Sequence, residues 1–277
     1  MNSTVSRSTA IVTVCVTICL SGCVRGVSGE AKKATMTSVS SDELISGLSY
    51  LWSAEPNIDI TNGPAVAVRG YVESLHSVQQ TGDIDRLYPG FETAVAPNGP
   101  EDGPPDTLGL WPDTEYPLHT PRVGTNKEHI LNVSTQGDTV SVVVCDWYYG
   151  TALQDSEDSY VFDPNNARPR AETAGISTMR VTLARGNGDS SPDLPPQTGP
   201  ASRPSENVFG QWRVVGKLVA LGTSSRGLEL WPTYPEDEAQ CIAKAPDSVG
   251  RRAFLTSGVH PRSDFPTLPA SPGWPEA

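Results

Sequence analysis

The sequence is short of positive charge: 20 Lys and Arg stand against 32 Asp and Glu, a formal net charge of −12 over 277 residues. A chain that neutralises nucleic-acid phosphates needs clustered Lys and Arg, so this balance speaks against nucleic acid as a partner. It also gives no electrostatic attraction to anionic lipid headgroups. Long apolar runs are missing too. The stretch from Ala10 to Leu20 holds eleven apolar, threonine and cysteine residues, whereas a helix that crosses a bilayer needs about 20. Catalytic and metal signatures are scarce. There is no HExxH, no nucleophile elbow and no phosphate-cradling glycine loop, and His76, His119, His129 and His260 are scattered without ligand spacing. The acidic stretch "DSEDSYVFD", residues 155 to 163, lacks the glycine and periodicity of a calcium loop and reads as a solvated turn. Neither a metal nor a cofactor is expected.

What the N-terminus does have is the three-part form of a secretory signal: Arg7, the apolar run, and the small residues Ser21 and Gly22. "LSGC", residues 20 to 23, resembles the lipobox of bacterial lipoproteins, where small residues precede a cysteine that receives diacylglycerol before cleavage on its N-terminal side. The resemblance implies that residues 1 to 22 are a signal peptide and that Cys23 is the lipidation site. Its acyl chains would hold the protein to the extracytoplasmic face of the cell membrane. The competing reading is a soluble secreted protein with a chance cysteine after Gly22. Removal of residues 1 to 22 leaves 255 residues and takes away only the charge of Arg7, so the net charge goes from −12 to −13. That length can bury a sizeable core. With Cys15 and Cys19 gone and Cys23 acylated, Cys145 and Cys241 are the one intramolecular pair left. In a non-reducing compartment a disulfide is favoured over two buried thiols.

Periodicity divides the rest. Val24 to Ser40 is small and polar and reads as a flexible tether reaching roughly 20 to 25 Å. A short helix is expected from Ser41, with Leu44, Ile45, Leu48, Leu51 and Trp52 on one face and Pro56 as its end. A longer one opens at Pro64, carries Val68, Tyr71, Val72, Leu75 and Val78 at helical spacing and stops at Gly82; Asp83 can cap a short successor. After the proline-rich stretch from Pro97 to Pro121 the period changes to two. A hairpin is expected with its turn at Gln136-Gly137-Asp138, followed by strands at "ISTMRVTLAR" and "GQWRVVGKLVAL", in which Trp212, Val214 and Leu218 share a face and Gly216 is a bulge or bend. The segment between those two strands is too polar and proline-rich to pack, and the tail 261–277 reads as extended, polyproline-like chain. The echoes "LWPDTEYP" and "LWPTYP", at 110 and 230, read as aromatic-proline loops closing over the same domain. The expected fold class is α+β, with N-terminal helices packed on a curved antiparallel sheet of about four strands and long proline-rich loops. One domain over 41–260 is expected, with its core at about 64–245.

"YVESLHSVQQTGDIDRLYPGF", residues 71 to 91, resembles the opening of the nuclear-transport-factor-2-like, or cystatin-like, superfamily. The likeness covers roughly residues 64 to 221, and the two proline-rich insertions and the paired cysteines depart from it. With the lipobox, the whole chain resembles exported lipoproteins of mycobacteria and their relatives, a group without an assigned reaction. The superfamily resemblance implies helices across a concave sheet face and a cone-shaped pocket, for which Tyr71, Asp146, Trp147 and Trp212 are the candidate lining residues. Cys145 and Trp147 share one strand face and Asp146 and Tyr148 the other; which face is concave stays open. Two functions fit. The favoured one is a non-catalytic lipoprotein that binds an envelope protein or a small apolar ligand. The alternative is a pocket enzyme of the isomerase or dehydratase kind, with Asp146 as base beside Tyr71 or His129. Against it, Asp146 can face solvent or pair with Arg180 or Arg213.

Overall fold

The computed structural model describes residues 39–166, 170–186, 194–219 and 225–277. Cys23, the signal peptide and most of the tether lie outside the described residues. In chain order the elements are α1 (Ser41–Ile45), β1 (Gly47–Ala54), α2 (Gly63–Thr81), α3 (Phe91–Ala94), β2 (Arg122–Gln136), β3 (Thr139–Trp147), β4 (Thr151–Ser156), β5 (Ser159–Val161), β6 (Ile176–Arg185), β7 (Trp212–Val219), α4 (Ser225–Leu230), α5 (Tyr234–Lys244), α6 (Val249–Leu255) and β8 (Val259–His260). Among the described residues the fold is α+β, but the sheet has eight strands rather than about four, and helices follow the sheet as well as precede it.

The best-marked helix forms where its signals stand. Pro64 sits in the first turn of α2, and Gly82 ends it in the left-handed region (φ 68°) while its N–H bonds the Val78 carbonyl. The expected helix from Ser41 does not extend to Pro56. A capping box between Ser40 and Glu43 supports five residues, and the chain then turns to β1. Leu48 and Trp52 fit helical spacing with Leu44, Ile45 and Leu51 and fit alternation with Tyr50, and the open edge of β2 decides between the two by supplying ladder partners from Gly47–Val123 to Ala54–Ile130. This pairing is parallel; the other strand pairings are antiparallel.

Strand β2 is the spine. Its other edge carries β3 over Lys127 to Gln136 and β4 over Arg122 to Gly124, because the chain turns through Tyr148–Gly150 between those two partners. Strands β6 and β7 extend the β3 side, and β5 and β8 extend the β4 side. The hairpin turn falls at Gly137-Asp138 as expected. In β7 a register shift separates Val214 from Gly216. Trp212 and Val214 consequently face one core, whereas Leu218 faces the other.

Each sheet face has its own core. On one, Val68, Val72 and Leu75 of α2 pack with Val142, Val144, Val181 and Leu183. Each such burial stabilises by about 1.5 to 3 kcal/mol. On the other, Val143, Cys145, Trp147 and Leu218 pack with Trp231, Cys241 and Leu255 of the C-terminal helical segment. Cys145 and Cys241 are joined by a disulfide across 96 residues of sequence, Cα to Cα 5.2 Å. A loop of that length corresponds to about 4.7 kcal/mol in the loop-closure description. The two "LWP" loops sit in different cores, Leu110 with α2 and Trp231 with α5.

Helix α2 is buried nearly all round. Its far side is covered by the segments that composition marks as too polar to pack. Val208 and Phe209 lie so close to the helix that a Cβ on Gly70 would stand 2.6 Å from Val208. The tail 261–277 is extended but not free: Phe265 and Trp274 are buried, Ser271 exchanges backbone hydrogen bonds with β1, and Trp274 with Ala201. Arg69 reaches from α2 to the carbonyls of Ile60, Gln197, Pro272 and Gly273 and lies 4.3 Å over the Trp274 ring. Proline supplies no N–H, but its carbonyl remains an acceptor, and a buried guanidinium with several donors uses it.

Candidate functional site

The sheet face under α2 changes character along its length, and several elements change together. On β3 the inward residues run Val140, Val142, Val144 and then Asp146; on β6, read against chain direction, Leu183, Val181 and Met179 lead to Ser177. Register sets Asp146 opposite Ser177 on one side and Glu128 of β2 on the other, and Trp52 of β1 opposite Glu128. In α2 the core residues Val68, Val72 and Leu75 give way to His76, Gln79 and Gln80. At that polar end lies a pocket of about 620 Å³, whose lining includes His76, Gln80, Arg122, Asn126, Asp146 and Ser177, with Tyr116 and Tyr148.

Asp146 and Glu128 are buried carboxyls directly across a ladder pair. Burial pushes Asp146 up to about 7, against the opposing pull of the Asn126 hydrogen bond and the Arg122 charge. Glu128 is driven well above the usual carboxylate range, first by burial and then by the charges of Asp146 and Glu73. Near neutrality Asp146 is balanced between its two forms. His76 Nδ1 lies 3.9 Å from Glu128 Oε1. Burial, with the charges of Lys217 and Arg122, lowers His76 to about 4. Because the imidazole is neutral near pH 7, its contact with Glu128 is polar and not an ion pair. Arg122 has its own counter-ion, Asp163, at 2.5 Å. Asn126 Nδ2 donates to Glu128 Oε1 at 3.0 Å. Tyr50 stacks on His76 with ring centroids 6.2 Å apart.

Five side-chain oxygens of this region, Tyr50 Oη, Gln80 Oε1, Asn126 Oδ1, Glu128 Oε2 and Asp146 Oδ1, are buried without a hydrogen-bond partner among the described residues, and so is one donor, Arg122 Nε. Each such group costs about 1 to 3 kcal/mol when nothing satisfies it. The arrangement can accept hydrogen bonds from an outside group, and it can exchange a proton at Asp146 near neutral pH.

Of the candidate lining residues, Asp146 alone borders this pocket. Tyr71 is fully buried, stacks on Phe91 and donates its hydroxyl to the Leu110 carbonyl at 2.8 Å. Trp147 points to the opposite face, where Nε1 donates to the Cys241 carbonyl at 2.9 Å. Trp212 borders a separate recess of about 20 Å³ beside Phe209. Nor does His129 neighbour Asp146: it bonds Ser53 and Glu55 and stacks on Trp147. The reason is a bulge. An unbroken ladder from the Gln136–Thr139 pair would set His129 against Asp146, but the register shift between Ile130 and Asn132 puts Glu128 there instead. Arg180 bonds the Leu230 carbonyl and lies over Trp231, and Arg213 is exposed, so neither pairs with Asp146. The site's other members, Glu128, Asn126, Gln80 and His76, went unrecognised in the sequence. Their signal was the shared parity of Asn126 and Glu128, set against an apolar stripe that ends in Asp146.

Among the described residues no group of three or more His, Cys, Asp or Glu is placed to hold a metal ion, and no helix is long and apolar enough to cross a membrane. No protein-family model, curated protein or solved structure matches the chain.

Proposed function

We propose that the chain is a lipid-tethered extracytoplasmic binding domain whose pocket at the polar end of α2 holds a small molecule. The observation that carries this reading is the open space of about 620 Å³ lined by residues that carry buried polar atoms without partners. Native proteins leave few buried polar groups unpaired, and several gathered at one concavity mark where an outside group completes the set. The lipobox-like "LSGC" at residues 20 to 23 supports the tether at Cys23. A small ligand is favoured over a protein partner because the proline-rich segments that would present themselves to a partner are packed on α2. The ligand is polar, not apolar, since Asp146, Asn126, Arg122 and His76 line the space.

One observation favours a second reading, a proton-transfer enzyme: Asp146 titrates at about 7, where a general base is most effective. The two readings separate in one preparation. The full protein, expressed with its own signal and extracted from membranes in mild detergent, is expected to carry a small mass in native mass spectrometry. Ser177→Trp, which fills the pocket, is expected to lose it. Identical spectra without a bound mass would contradict the binding reading. Conversion of the released compound by wild-type protein but not by Asp146→Asn would favour the enzyme. Cys23→Ser is expected to shift the protein out of the membrane fraction, and no shift would refute the tether.

A further inference from the structure

Resting on the reading of this pocket as a ligand site, we infer that the ligand it selects is an organic cation, a protonated amine, rather than an anion or a neutral alcohol. Three of the partnerless oxygens belong to residues that line the pocket, and they come from three elements: Gln80 from α2, Asn126 from β2 and Asp146 from β3. Asn126 and Asp146 are more than nine-tenths buried. All three atoms accept hydrogen bonds when Asp146 is ionised, and a primary ammonium carries three donors and no acceptor. An anionic ligand would add acceptors to acceptors and meet the Asp146 charge. The one cationic donor that it would meet there, the partnerless Nε of Arg122, belongs to a guanidinium whose charge is already paired with Asp163.

The charges around Asp146 decide between a cation and a neutral donor. Glu128 faces it from β2, with Glu73 of α2 acting on Glu128 in turn, while His76 on α2 is held neutral. Tyr50 on β1 keeps its proton, burial and the neighbouring acids raising it well above 10. The opposing charge is Arg122 of β2, which lowers Asp146 and is itself paired with Asp163. A bound cation stabilises ionised Asp146, so binding expels the proton that Asp146 holds part of the time at pH 7; a neutral alcohol leaves it in place.

The experiment is isothermal titration calorimetry of the full protein at pH 7 with three probes of equal skeleton: 2-phenylethylamine, 2-phenylethanol and phenylacetate. Repetition in phosphate and imidazole, whose ionisation enthalpies differ, reads the proton released. The amine is expected to bind at least about tenfold tighter than the alcohol, with release of about half a proton, and phenylacetate is expected not to bind. Asp146→Asn should weaken the amine at least about tenfold and abolish the release, and Gln80→Leu should weaken it about threefold. Equal binding of amine and alcohol without proton release would overturn the cation assignment while leaving the pocket a ligand site. Preferred binding of phenylacetate, or no amine binding by protein whose thermal unfolding shows it to be folded, would overturn it as well. The co-purified mass tests the ligand site itself independently.

Discussion

Glu73 and Asp146 are both carboxyls buried against α2, and their surroundings differ in one respect. Glu73 accepts three hydrogen bonds, from Trp52 Nε1 at 2.7 Å, Trp274 Nε1 at 2.8 Å and the Tyr88 hydroxyl at 3.0 Å. Asp146 Oδ1 has no partner among the described residues, and the residue across the ladder from it is another acid. Burial raises both pKa values. At Glu73, however, every donor comes from an element that needs anchoring: β1, the segment after α2, and the C-terminal tail. A carboxylate so surrounded fixes the fold, whereas one left short of donors beside an open pocket costs stability, and on the proposed function that cost is the cost of a binding site.

Removing the contacts of the anchored acid should have the largest effects. Trp274→Ala takes away a donor to Glu73, the ring under Arg69 and a core side chain, and is expected to cost about 4 kcal/mol in urea unfolding. A loss below about 1 kcal/mol would mean that the tail is not part of the cooperative unit. Glu73→Gln keeps the shape but turns an amide toward three donors, with an expected loss of about 2 to 3 kcal/mol. At the pocket end the sign reverses. Glu128→Gln relieves a carboxyl opposed by Asp146 and is expected to stabilise by about 1 kcal/mol near pH 8. Equal losses at Glu73 and Glu128 would erase the distinction. The smallest effect belongs to Gln80→Leu, which removes a partnerless oxygen and should change stability by no more than about 0.5 kcal/mol while weakening amine binding.

Part of this was legible in the chain. Pro64 and Gly82 bound α2, the Gly137-Asp138 turn fixes the central hairpin, and Cys145 with Cys241 form the expected bridge. Asp146 could be singled out, but its neighbours could not, because one extra residue at Leu131 exchanges His129 for Glu128. Strand β1 was hidden by an apolar spacing that serves two periods, and β4, β5 and β8 by their shortness and polarity. Helix α5 carried usable signals, Pro235 in its first turn with Glu236 and Asp237, and Lys244 in its last. The packing of the proline-rich segments had no local signal, since it depends on α2 being apolar all round and requiring cover on its far side.

The direct test of the contrast is the pH dependence of stability for wild type and Asp146→Asn, followed by urea unfolding between pH 4 and pH 8. Asp146 releases its proton at about 7 when folded, and near 4 when unfolded. Between those values the folded state holds at Asp146 a proton that the unfolded chain has lost, so the contribution of Asp146 to stability falls as pH rises through the window, and the difference between the two proteins isolates it from His76, whose lowered pKa acts with the opposite sign. The asparagine variant lacks this group. The two proteins should be similarly stable near pH 4, and the variant should be ahead by about 1 kcal/mol or more at pH 8. A variant less stable than wild type at every pH would show that Asp146, like Glu73, is there to hold the fold.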